Sequence, residues 1–116
     1  MDTLKRIIIA VSGYDRYLEG KRISQKKELE VFVVEEPDFE VMGRYENKEK
    51  RYSLYISEDG FFCTCADNMV RQNIFCKHLI GAVLRVVMMG YKEKIEETIK
   101  KLILGGKLCI TKSIRT

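Results

Sequence analysis

Three of the four cysteines in this chain and its only histidine fall within residues 63–78, as Cys63-Thr64-Cys65 and, after a spacer of ten residues, Cys76-Lys77-His78. Two close pairs of soft donors constrain the fold strongly, because zinc takes four nitrogen or sulfur ligands in a tetrahedron and three thiolates with one imidazole form a standard set. In an extended strand, residues i and i+2 point the same way, so Cys63 and Cys65 at a strand end aim two sulfurs at one ion. On a helix the same spacing diverges by about 200°. Cys76 and His78 are therefore expected to straddle a helix start, with the helix running on from about His78. The positive helix N-terminus and Lys77 would offset the formal charge of a divalent ion held by three thiolates. A tetrahedron filled by protein leaves no open position, so one structural Zn2+ is expected and enzyme activity is not.

Other readings of the same residues remain. Disulfides fit poorly: the longest apolar run near the N-terminus, Ile7 to Val11, is too short to span a membrane and is followed by no small-residue cleavage site. The expected location is thus the cytoplasm, or the nucleus in a eukaryote, where thiols stay reduced. Buried, unligated thiols are the second alternative. A catalytic Cys-His pair would need an orienting third group and a substrate pocket, neither of which the sequence nominates. Cys109 stands apart from the cluster and reads as a core thiol.

The 116 residues have room for one core, and with 46% hydrophobic and 33% charged residues the chain is too apolar to be disordered. Residues 1–116 are read as one domain. Its net charge of +4 is unevenly placed. Residues 1–62 carry 11 Lys/Arg against 13 Asp/Glu, whereas residues 63–116 carry 10 against 4. Such asymmetry can mark an anionic partner, although many basic stretches are simply solvated.

The pattern along the chain predicts an α+β fold. Leu4, Ile7, Ile8, Val11 and Leu18 follow the rhythm of one amphipathic helix, with Asp2 or Thr3 as N-cap and Gly20 as its stop; a short strand at Ile7-Ile8-Ile9 competes. From Lys21 to Arg44 the pattern is extended, with Ile23, then Leu29, Val31 and Val33, then Val41 after Pro37, giving two or three strands. Tyr52, Leu54 and Ile56 form another strand that ends at Asp59-Gly60, a pair suited to the positive φ angles of a tight hairpin, before a strand at Phe61 to Cys63. After Cys76 the chain is apolar on nearly every face up to Met89, with Arg85 the exception and Gly90 as cap, which predicts a buried central helix. A further helix spans about Lys92 to Leu104, and Leu108 to Ile110 reads as a short final strand before a basic tail.

These residues resemble the SWIM zinc finger, whose motif is Cys-x-Cys, a variable spacer and Cys-x-His on a hairpin followed by a helix. Cys63-Thr64-Cys65, Cys76-Lys77-His78 and the apolar Leu79-Ile80-Gly81-Ala82-Val83-Leu84 carry the resemblance. Tyr14 to Ile23 is similar to the short helix ending in Gly that precedes the family's strands, and Val41-Met42-Gly43 to its Val-x-Gly strand. The proline often found after the second cysteine is Ala66 here. The resemblance covers residues 3–90, with the metal motif at 63–78; the C-terminal helix and basic tail, 91–116, lie outside it. It implies an N-terminal helix, a small antiparallel sheet, a zinc-linked β-hairpin plus buried helix (the SWIM ββα unit), and an extra C-terminal helix.

SWIM domains occur in chromatin-remodelling ATPases, transposases, kinases and ubiquitin ligases, and small members act beside recombinase-like ATPases in homologous recombination. The resemblance thus implies a DNA- and protein-binding accessory factor in DNA recombination or repair, with an ATPase partner. Candidate nucleic-acid contacts are Arg71, Lys77, Lys100, Lys101, Lys107, Lys112 and Arg115, since phosphate contact needs clustered cations. The alternative is a protein-interaction subunit or homo-oligomerising module with no nucleic-acid contact, in which Phe39 within Glu35-Glu36-Pro37-Asp38-Phe39-Glu40 fills a partner's pocket.

Overall fold

The computed structural model describes residues 2–110, so Lys112 and Arg115 lie outside the described residues. The expected N-terminal helix is two helices, α1 (Thr3–Ser12) and α2 (Tyr14–Ile23). Gly13 separates them at φ 93°, a conformation open to glycine without steric cost. Its N–H donates to the Ile9 carbonyl and closes α1, while its own carbonyl accepts from the Tyr17 N–H and opens α2. The Asp2 carboxylate caps α1 by accepting from the Leu4 N–H at 3.1 Å. Gly20 is therefore no stop but an interior residue of α2, and Ile23 is helical rather than extended.

Four strands follow: β1 (Leu29–Val34), β2 (Glu40–Glu46), β3 (Arg51–Ser57) and β4 (Gly60–Cys63). They form an antiparallel meander in the order β1-β2-β3-β4. The β3–β4 hairpin lies where the Asp-Gly pair predicts it, with Ser57 opposite Gly60. Its turn residues, Glu58 and Asp59, use no positive φ, contrary to expectation. A short helix, α3 (Ala66–Val70), occupies the spacer; α4 (Lys77–Met88) and α5 (Lys92–Leu104) match the two predicted helices, and Gly90 after α4 takes φ 99°. The expected strand at Leu108 to Ile110 does not form. Leu108 is the residue that turns inward there, and Cys109 is exposed, so the reading of Cys109 as a core thiol is wrong by one position.

Alternation explains the core: Leu29, Val41, Leu54, Ile56 and Cys63 face inward from the sheet and are buried. Across them lies α4, whose Leu79, Ile80, Ala82, Val83 and Val86 are all shielded from water. The helices α2 and α5 pack against α4 in turn. Gly20 faces Ile80, and Gly81 faces Ile23, so α2 and α4 approach backbone to backbone. Arg85, the polar exception on α4, reaches back to the α2–β1 connection and donates to the carbonyls of Ser24 at 2.8 Å, Leu29 at 3.0 Å and Lys26 at 2.8 Å. One guanidinium thus serves three backbone carbonyls between the end of α2 and the start of β1, the Lys26 oxygen also accepting from the Leu29 N–H.

Among the described residues, nothing covers the opposite face of the sheet. Phe32, Met42, Tyr55 and Phe62 stand in register across all four strands, and Phe32 is 60% exposed. Phe39, by contrast, is half-buried and packs against the core, with its ring 5.8 Å from that of Tyr91. No helix among the described residues is long and apolar enough to cross a membrane.

Candidate metal centre

Cys63 is the last residue of β4 and Cys65 the N-cap of α3, the strand-end placement that the Cys-x-Cys spacing predicts. Cys76 is the N-cap of α4 and His78 its second residue, so this pair straddles the helix start as expected. The four donor atoms lie within 4.8 Å of one another, and all four residues are buried. His78 presents Nδ1 to the sulfurs, 3.9 Å from Cys63 Sγ and 4.0 Å from Cys76 Sγ. Zinc–sulfur and zinc–nitrogen bond lengths give tetrahedron edges of about 3.6–3.8 Å, so the observed separations need only a small contraction around an ion. The cluster is thus geometrically able to coordinate a metal.

Burial and mutual contact hold the Cys65 and Cys76 thiols in their neutral form. Hydrogen bonding to Cys63, followed by burial, pushes the Cys76 thiol up, and burial does the same to Cys65. The backbone N–H groups of Leu79 and Asn68 oppose these shifts by favouring the thiolates, but do not overcome them. A metal ion ligated by these sulfurs would have to displace their protons, so metal binding would release protons. Burial, with Lys77 and Lys50 nearby, lowers the His78 pKa to about 4, which keeps the imidazole neutral and able to ligate near neutrality. The rings of Tyr45 and Tyr52, at 5.0 and 4.8 Å from the imidazole, hold its orientation.

Two supporting arrangements, one around Asn68 and one pairing Arg16 with Asp67, escape a reading by motif. Asn68, buried within α3, accepts from the Cys63 N–H at 2.8 Å and donates to the carbonyls of Arg71 and Ile74. It ties the end of β4 to both ends of the loop that leads to Cys76. Arg16 on α2 grips Asp67 on α3 in a two-pronged pair, Nε to Oδ2 at 2.7 Å and Nη2 to Oδ1 at 2.9 Å. These side chains are 30% and 31% exposed, so solvent screens the pair only in part. The only signal for either would have been their polarity inside the spacer and α2, which many solvated residues share.

The Arg16 guanidinium, then burial against it, sets the Asp67 carboxyl, with a net pKa below the ordinary carboxylate range. A depressed folded pKa contributes stability above the unfolded value, lost as pH falls through the folded one. Asp67→Asn is therefore expected to cost about 1–2 kcal/mol at neutral pH. Parallel thermal melts of wild type and variant should show this difference holding down to the ordinary carboxylate range near about 3.9 and closing only below it.

The candidate basic contacts are scattered. Arg71 pairs with Asp67 at 3.3 Å, and Lys101 with Glu58 at 2.9 Å and Glu97 at 3.3 Å. Lys77 is exposed at the start of α4, Lys100 on α5 and Lys107 after it. The fold and site together define an α+β domain with N- and C-terminal helices around a four-stranded antiparallel sheet, carrying a buried Cys3His cluster capable of holding a metal ion. In comparisons with known proteins the chain matches no family model, and no curated protein or solved structure matches it significantly.

Proposed function

We propose that this chain is a zinc-stabilised binding module of the SWIM type, acting as a DNA- and protein-binding accessory factor in DNA recombination or repair beside a recombinase-like ATPase. The observation that carries the reading is the Cys3His cluster at the junction of the β3–β4 hairpin with α4. Three sulfurs and one imidazole fill a tetrahedron, so zinc would join hairpin to helix and perform no chemistry on a substrate. Gly43, the glycine of Val-x-Gly, sits in β2 where a side chain would strike the Glu30 carbonyl, which gives that motif residue a packing role.

The protein-binding half rests on the row Phe32, Met42, Tyr55 and Phe62, an apolar stripe across the open sheet face. The neighbouring charges there, Arg44 and Glu30, neutralise each other at 2.7 Å. A face with so little net charge favours a protein over a phosphate backbone, and it supports the second reading, a protein-interaction or dimerisation subunit without nucleic-acid contact. Titration of labelled single-stranded and duplex DNA at several salt concentrations separates the two. Binding that weakens with salt supports the accessory-factor reading. No binding at low salt, or binding without a salt slope, leaves the protein-interaction subunit.

A further inference from the structure

Beside the metal cluster lies a cleft of about 460 Å³ whose floor includes His78, Tyr45 and Tyr52. Lys26, Lys50 and Lys77 line it, drawn from three separate parts of the chain: the α2–β1 connection, the β2–β3 turn and the first residue of α4. None of the three ammonium groups has an ion-pair partner among the described residues. The two acids in the lining are already engaged, Glu19 by Arg22 at 2.9 Å and Asp67 by Arg16. We propose that this cleft binds the phosphate groups of a single nucleic-acid strand, with Lys26, Lys50 and Lys77 as its phosphate contacts.

The backbone presenting these lysines is held in place. Arg85 donates to the Lys26 carbonyl, and the Asn47 side chain accepts from the N–H groups of Glu49 and Lys50 at 2.9 and 2.8 Å. The cation arrangement is therefore largely set before a ligand arrives. Offsetting the metal cluster does not account for it: a divalent ion with three thiolates carries one net negative charge, and three unpaired lysines exceed that. Lysine suits phosphate as a point-charge donor. The cleft is within the usual size range of small-ligand sites, which admits a nucleotide unit.

This inference deepens the accessory-factor reading and rests on its DNA-binding half. Anisotropy titrations of fluorescein-labelled oligo(dT) against the zinc-loaded full chain, at several salt concentrations, test both. The triple variant Lys26→Gln/Lys50→Gln/Lys77→Gln is compared with Arg6→Gln/Lys94→Gln, two exposed cations outside the cleft, after melting temperature and zinc content show that each is folded and loaded. The expected result is at least a tenfold loss of affinity in the triple variant, with the salt slope reduced by about 2, since each single-strand phosphate contact contributes about 0.7. The Arg6/Lys94 variant should remain within about threefold of wild type. Strand binding that the triple variant leaves unchanged overturns the cleft while the DNA-binding reading stands. No strand binding by the wild type overturns both. If the triple variant fails to fold, single Lys50→Gln and Lys26→Gln variants, exposed positions outside the ligand motif, should each weaken binding several-fold and lower the slope; unchanged affinity in both refutes the cleft.

Discussion

Cys76→Ser is expected to abolish the cooperative unfolding transition and to lower zinc affinity by more than about 100-fold, the upper end of what changes around a metal's outer shell cost. Cys76 has no solvent exposure, and its sulfur lies 4.0 Å from His78 Nδ1 at the point where α4 begins. That helix crosses the inner face of the sheet, so its start is also where the spacer loop is anchored. Structural zinc contributes about 10–16 kcal/mol in small zinc modules, comparable to the whole stability of an ordinary domain. The comparison that makes the result specific is Cys109→Ser. Cys109 is exposed and far from the ligand set in sequence, and its backbone N–H donates to the Asn73 carbonyl, a bond that serine retains. Zinc content and melting temperature should be unchanged in that variant.

The second large effect concerns the crossing of α2 and α4. A methyl group at Gly81 would lie 2.7 Å from Ile23 Cγ2 and 3.3 Å from the Gly20 carbonyl oxygen, and one at Gly20 would overlap Ile80. In an exposed helix, replacing glycine by alanine stabilises by about 1 kcal/mol. Here the sign should reverse: Gly81→Ala and Gly20→Ala are expected to destabilise. Gly81→Val should cost about 3 kcal/mol or more, because the backbone on the far side leaves nowhere for the side chain to go. Gly60→Ala, where an added methyl group meets nothing within 4 Å, provides the neutral control. Denaturant midpoints for the set measure the signs directly.

Those two glycines also show where the sequence was legible and where it was not. The rhythm of α4 and α5 and the glycines after them located both helices, since periodicity and caps are local signals. Gly20 looked like a helix stop because its true reason, contact with Ile80, lies sixty residues away. The Gly13 break was hidden because apolar spacing continues across it, and α3 because five residues carry no measurable period. The ligand set was visible for the opposite reason: i, i+2 geometry at a strand end and at a helix start is local chemistry. The residues that brace the site, Arg16 with Asp67 and Arg85 with the α2–β1 carbonyls, join positions more than fifty apart, and no spacing rule connects them. The cleft basic residues follow the same logic. Charge counting pointed to the C-terminal half, whereas folding brings Lys26 and Lys50 of the acidic half beside Lys77.

The central claim is that the Cys3His cluster holds one zinc ion on which the fold depends. Native mass spectrometry of the full chain purified under reducing conditions, paired with a thermal melt before and after treatment with a strong chelator, tests it most directly. The account predicts one zinc per chain and loss of the cooperative transition when the ion is removed. A protein that is metal-free as purified, or that melts cooperatively at the same temperature after the ion is stripped, would contradict it.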